Sequence, residues 1–124
     1  MPESPSAPAG TDLLWVDRKV DNHTVVVRAV GEVDLLTAPV LGAQLELAEA
    51  VVVPPAPVVL DLTGVTFFES SGINLLLDHH GRCTRRGTRL QVIGSRAVLR
   101  VLSLSGVDEA LVIVPSASGS NSAA

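Results

Sequence analysis

The residues best placed to do chemistry are Glu69-Ser70-Ser71-Gly72, which follow the apolar run closed by Phe67-Phe68 and precede a segment of helical periodicity. A serine at the start of a helix sits where unpaired backbone N–H groups and the helix dipole favour negative charge. A phosphoryl group there would add about −1.5 to −2 charge at pH 7. The helix N-terminus favours that charge and Glu69 opposes it. The chain therefore reads first as a binding module switched by charge. A structural alternative stands beside this: Ser70 and Ser71 can both serve as N-caps, since a short hydroxyl accepts from an orphan N–H. Gly72 leaves space for another molecule to approach the hydroxyl.

Spacing extends the pattern. Asn74 and Asp78 follow Ser71 at i+3 and i+7, so the three form one short polar stripe. Ile73, Leu76, Leu77 and His80 are expected on the opposite, apolar side. Hydrolysis with Ser71 as nucleophile is disfavoured. There is no Gly-x-Ser-x-Gly elbow, and His79 and His80 lie at least two turns along the same helix, out of reach as a base. His79 and Cys83 stand at i and i+4, but two ligands are too few for a metal site, and His80 with Cys83 is expected to border the core. No metal and no cofactor is expected. Cys83 is the single cysteine, so no intrachain disulfide can form; an inert, partly buried thiol is expected there.

The elements that must hold this loop alternate along the chain. Leu13 to Arg18 reads as a short strand. Thr24 to Val30 is a second, with Val25, Val27 and Ala29 on one face and Val26, Arg28 and Val30 on the other. Asp21-Asn22 predicts a hairpin between them. Thr37 caps a helix with Pro39 in its first turn. Leu41, Leu45, Ala48 and Val52 give that helix one apolar face, and Pro54-Pro55 ends it. Val58 to Leu62 is apolar on both faces, as a central strand is. The helix from Ser71 stops at Gly87. Arg89 to Ile93 is a further strand, Ser95 and Gly106 bound a third helix, and Leu111 to Val114 is a peripheral strand. Such alternation predicts an α/β domain, one sheet with helices packed against it.

One domain is the natural count for 124 residues. Met1 to Gly10 and Ser116 to Ala124 are rich in Ser and Ala (the first also in Pro) and are expected to be disordered tails, leaving 11–115 as the folded domain. A net charge of −4 and only three aromatic residues, Trp15, Phe67 and Phe68, lack both the basic footprint and the stacking surfaces of a nucleic-acid binder. The cluster Arg82, Arg85, Arg86 and Arg89 reads as a solvated helix end. No apolar run is long enough to span a bilayer and no signal-peptide pattern is present. The expectation is a cytoplasmic protein that uses neither nucleic acid nor membrane.

Two blocks, Gly31-Glu32-Val33-Asp34-Leu35-Leu36-Thr37-Ala38-Pro39 and Leu60-Asp61-Leu62-Thr63-Gly64-Val65-Thr66-Phe67-Phe68-Glu69-Ser70-Ser71-Gly72, resemble the STAS domain of bacterial anti-sigma factor antagonists in order and spacing. The resemblance spans Leu13 to Val114. It implies the STAS fold, a mixed four- to five-stranded sheet with helices mainly on one face, and a protein without catalytic activity. It further implies that the unphosphorylated form binds an anti-sigma factor with serine kinase activity and frees a sigma factor. Ser71 matches the phosphorylated serine, and a PP2C-type phosphatase would reverse the modification. Asp34 matches the family's acidic residue in the first block. With Thr37, Glu69, Ser70, Gly72, Asn74 and Asp78 it is expected to border the partner-binding surface; Glu32 is either a member or a solvated strand end. The family usually has Asp where this chain has Glu69. The remaining alternative is a STAS scaffold or ligand-sensing module that is not phosphorylated.

Overall fold

Side-chain alternation builds the first hairpin. In the computed structural model, which describes residues 9, 10 and 12–115, β2 (Leu14–Asp21) and β3 (Thr24–Val33) pair antiparallel across Asn22, whose φ of 58° suits a tight turn. Val25, Val27 and Ala29 are buried, while Val26, Arg28 and Val30 are half-buried or exposed, as their alternation requires. The tail expectations for 1–8 and 116–124 lie outside the described residues. Ala9–Gly10, expected in the tail, form a two-residue strand, β1, on the edge of β2.

After β3 the chain steps across the sheet in one direction. Helix α1 (Ala38–Val51) leads to β4 (Val58–Phe68), α2 (Ser70–Arg85) to β5 (Leu90–Gly94), and α3 (Arg96–Ser105) with a short 3₁₀ turn to β6 (Val112–Ile113). Strand order is β1-β2-β3-β4-β5-β6, antiparallel through β3 and parallel from β3 to β6. The sheet is thus mixed, as expected, and the two-residue β1 adds a sixth strand to the four to five expected. Parallel crossovers share one hand, and here none reverses direction, so every helix falls on the same face. That face carries Leu14, Val16, Val25, Val27, Ala29, Val58, Leu60, Leu62, Leu90 and Val92, all buried. Leu41, Leu45 and Ala48 of α1, Leu76 of α2, and Val98 and Leu102 of α3 close over them. Helix α3 has the expected bounds: Ser95 Oγ accepts from Val98 N at 3.2 Å, and Gly106 ends the helix at φ 79°.

Two expectations are corrected. Strand β4 extends six residues past Leu62, because pairing with β3 overrides the polar Thr63, Gly64 and Thr66. Helix α2 is rolled about its axis. It buries Gly72, Leu76, His79 and Cys83; Leu77 is exposed, and Ile73 and His80 are only half-buried. The run Leu75-Leu76-Leu77 does not set a phase by itself. What sets it is Glu49 of α1, a buried carboxylate on that helix's apolar face. His79 Nδ1 lies 2.5 Å from Glu49 Oε2, Arg82 Nε donates to Oε1 at 2.9 Å, and Arg86 donates to the Glu49 carbonyl at 3.1 Å. Arg82 and Arg86 therefore belong to an interhelical clamp and are not merely a solvated helix end. Burial, followed by the charge of Glu49, pushes the Cys83 thiol up to about 11, so it remains protonated and unreactive.

Burial alone would raise the pKa of Glu49, but the hydrogen bonds and charges of His79 and Arg82 outweigh it, and the net displacement is downward from 4.5. A depressed carboxylate stabilises the fold above its unfolded pKa and loses that contribution as pH falls through the folded value. Stability should therefore decline as pH drops below 4.5. Glu49→Gln should lower stability at neutral pH by about 2–3 kcal/mol and flatten this acid limb. Urea denaturation of both proteins across the acid range checks it.

Candidate functional site

Parallel pairing places the two motif blocks side by side. At the ends of β3 and β4, Glu32 is in register with Phe67 and Val33 with Phe68, and Glu69 N donates to Val33 O at 3.2 Å. The loops that follow, 34–37 and 69–71, thus emerge together at the C-terminal edge of parallel strands, where α/β sheets commonly place their sites. On the other side of β3, Gly31 lets the backbone of Leu13 come close: its φ is 124°, and a Cβ there would run into Leu13 O.

The first loop is a hydrogen-bonded turn. Asp34 Oδ1 accepts from Leu36 N and Thr37 N, both at 3.0 Å. Thr37 Oγ1 donates to Glu32 O at 2.8 Å and accepts from Asp34 N at 2.9 Å. Thr37 heads α1 as expected, yet its hydroxyl bonds back into this turn and not to the helix, and the residue is 1% exposed. It shapes the loop and cannot touch a partner directly. Between Asp34 and Thr37, Leu35 and Leu36 stand in solvent, 75% and 79% exposed.

The second loop begins α2. Its N-cap is Glu69, not a serine, and Glu69's side chain does not cap the helix. The carboxylate crosses to the first loop instead, where Oε2 accepts from Leu35 N at 3.2 Å. Ser70 is exposed. Ser71 is half-buried, and its Oγ is enclosed with no hydrogen-bond partner. The capping role that the sequence allows both serines is filled by neither. Gly72 is buried, and a Cβ there would lie 2.5 Å from Phe68 Cε1. Its missing side chain makes room for that ring, not for another molecule. Asn74 and Asp78 are exposed on the same side of α2 as Ser71.

The geometry thus gathers Asp34, Glu69, Ser70 and Ser71 at one edge, extends it along α2 through Asn74 and Asp78, and places Thr37 and Gly72 beneath it. Leu35 and Leu36 are the members that sequence reasoning missed. An apolar pair after a strand reads as core, and only the turn turns it outward. Among the described residues, no group of three or more His, Cys, Asp and Glu side chains could hold a metal, and no helix is long and apolar enough to cross a membrane.

Comparison with known proteins agrees with this architecture. The family model described as "Mlab, STAS domain" matches residues 16–115. The anti-sigma-F factor antagonist RsfA of Mycobacterium tuberculosis is 28% identical over 103 residues, covering 82% of this chain and 80% of that protein. The crystal structure of an anti-sigma factor antagonist from Mycobacterium paratuberculosis superposes with a TM-score of 0.74 at 24% identity, over 97% of this chain and 96% of the other. The unphosphorylated anti-sigma factor antagonist SpoIIAA superposes with a TM-score of 0.68 at 19% identity, over 86% and 91%.

Gly72→Ala should force Phe68 or the first turn of α2 to shift and cost about 1–3 kcal/mol. Ser70→Ala, at an exposed position, should stay within about 0.5 kcal/mol of the parent. Thermal melting of the two variants checks the contrast.

Proposed function

The chain belongs to the STAS domain family, and we propose that it is an anti-sigma factor antagonist: unphosphorylated, it binds an anti-sigma factor and so releases a sigma factor, and phosphorylation of Ser71 ends that binding. The names of its relative and its structural neighbours supply the class of partner. The observation that carries the residue assignment is the hydroxyl of Ser71, which is enclosed at a helix N-terminus without a hydrogen bond. A buried hydroxyl ordinarily finds a partner; one that caps nothing and bonds to nothing is free to be used otherwise.

The partner in this reading is itself a serine kinase. It passes the γ-phosphoryl group of ATP to Ser71 Oγ; the bond to phosphorus forms as the bond to ADP breaks, and the hydroxyl proton leaves to a base outside this chain. Rotation about Cα–Cβ must first turn the hydroxyl outward, and no hydrogen bond opposes it. The charge gained is favoured by the α2 N-terminus but stands against a desolvated protein surface, so the partner leaves. A PP2C-type phosphatase restores the serine. Asp34, Glu69, Ser70, Asn74 and Asp78 border the docking surface, Thr37 and Gly72 support it, the chain itself catalyses nothing, and the setting is the cytoplasm.

The experiment is intact-mass spectrometry after incubation with ATP and each anti-sigma kinase of the same genome. One phosphate on the parent and none on Ser71→Ala is the expected result. Ser71→Glu should weaken binding to that kinase at least tenfold with an unchanged melting temperature. A kinase that binds the chain yet adds no phosphate would identify an unswitched antagonist or scaffold.

A further inference from the structure

We propose that Leu35 and Leu36 are the apolar anchor by which this chain selects its anti-sigma factor, and that Glu69 is the positioning residue that fixes them; this rests on the reading of the chain as an anti-sigma factor antagonist. Adjacent leucines 75% and 79% exposed at the head of a motif loop do nothing for the core. Their turn is nevertheless held from both sides, by Asp34 and Thr37 within the loop and by Glu69 from the neighbouring one. A rigid turn offering two large apolar side chains can enter a pocket without first losing loop entropy on binding. Such central apolar contacts dominate interface energetics when water is excluded around them.

The surroundings state the chemistry of the pocket. Glu32, Asp34 and Glu69 lie about the turn, and no Lys or Arg occurs in the sequence between Arg28 and Arg82. The fitting partner surface is an apolar pocket for two leucines with a basic rim; a pocket rimmed by carboxylates would be rejected. Glu69 matters here for its length. An Asp at this position would draw the carboxylate back by roughly one C–C bond length. The 3.2 Å bond to Leu35 N would then be out of reach. The longer acid and the leucine pair therefore act as one unit.

Calorimetric titration against each purified anti-sigma factor encoded in the same genome tests this, together with hydrogen exchange of the Leu35 amide. Leu35→Ser and Leu36→Ser should each weaken binding at least tenfold with unchanged melting temperatures, since both side chains are in solvent. Glu69→Asp should abolish protection of the Leu35 amide and weaken binding severalfold. Glu69→Gln, whose amide oxygen accepts the same bond, should keep the Leu35 amide protected. Parent-like binding by the leucine variants, or a Leu35 amide still protected in Glu69→Asp, overturns the proposal while leaving the antagonist function intact. If no anti-sigma factor binds the parent protein, the functional reading fails and the anchor fails with it.

Discussion

The parallel pairing of β3 with β4 is the constraint on which the rest of the site depends. It alone brings residues 34–37 and 69–72 together, because nothing local in either segment refers to the other. The register Val33 with Phe68 fixes where both strands end, and the bond from Glu69 N to Val33 O carries the pairing one residue into the loop. The pairing carries register shifts between Arg28 and Val30 and between Gly31 and Glu32, and Gly64 lets β4 lie closer to Val30 than a side chain permits.

A second constraint decides which side of α2 faces outward. Asn74 and Asp78 are presented to solvent, with Ser71 half-buried at the head of the same side, because His79 is drawn inward to Glu49. A buried ion pair contributes modestly to net stability, since desolvating its charges costs much of what their attraction returns. Its geometric effect is larger here. A wholly apolar contact between α1 and α2 would accept several rolls of the Leu75-Leu76-Leu77 run, whereas a carboxylate held by one histidine and one arginine accepts one. The clamp thus bears on the proposed docking surface although it lies at the far end of the helix.

Elements marked by local signals were legible in the sequence. The hairpin at Asn22, the third helix between Ser95 and Gly106 and the stop at Gly87 each follow from one residue's backbone preference or capping chemistry. The sheet with helices on one face followed from alternation and the motif blocks together. Three things were not legible. The extension of β4 through Thr63 to Phe68 and the roll of α2 are each decided by a partner distant in sequence, β3 and Glu49 respectively. The outward turn of Leu35-Leu36 is built by the side chains of Asp34 and Thr37, with one further bond from distant Glu69. Glu49 did leave a trace, as a lone carboxylate between Ala48 and Val52 on an apolar face, opposite an arginine-rich helix end. An unpaired charge on such a face asks for a partner, and His79 and Arg82 supply it.

Within the motif loops, roles that look alike in sequence are divided among different residues. Asp34 and Thr37 spend their hydrogen-bonding capacity inside the turn, and Glu69 spends its own across the gap, so these three hold shape. Gly72 admits the Phe68 ring and so seats the first turn of α2 on the sheet. Ser71 differs in having its Oγ enclosed and yet without a hydrogen bond. In the proposed switch that separation is what makes the device workable. A residue that capped the helix could not be modified without loosening the fold, whereas a hydroxyl with no bond to lose can take up and give back a charge while the scaffold remains in place.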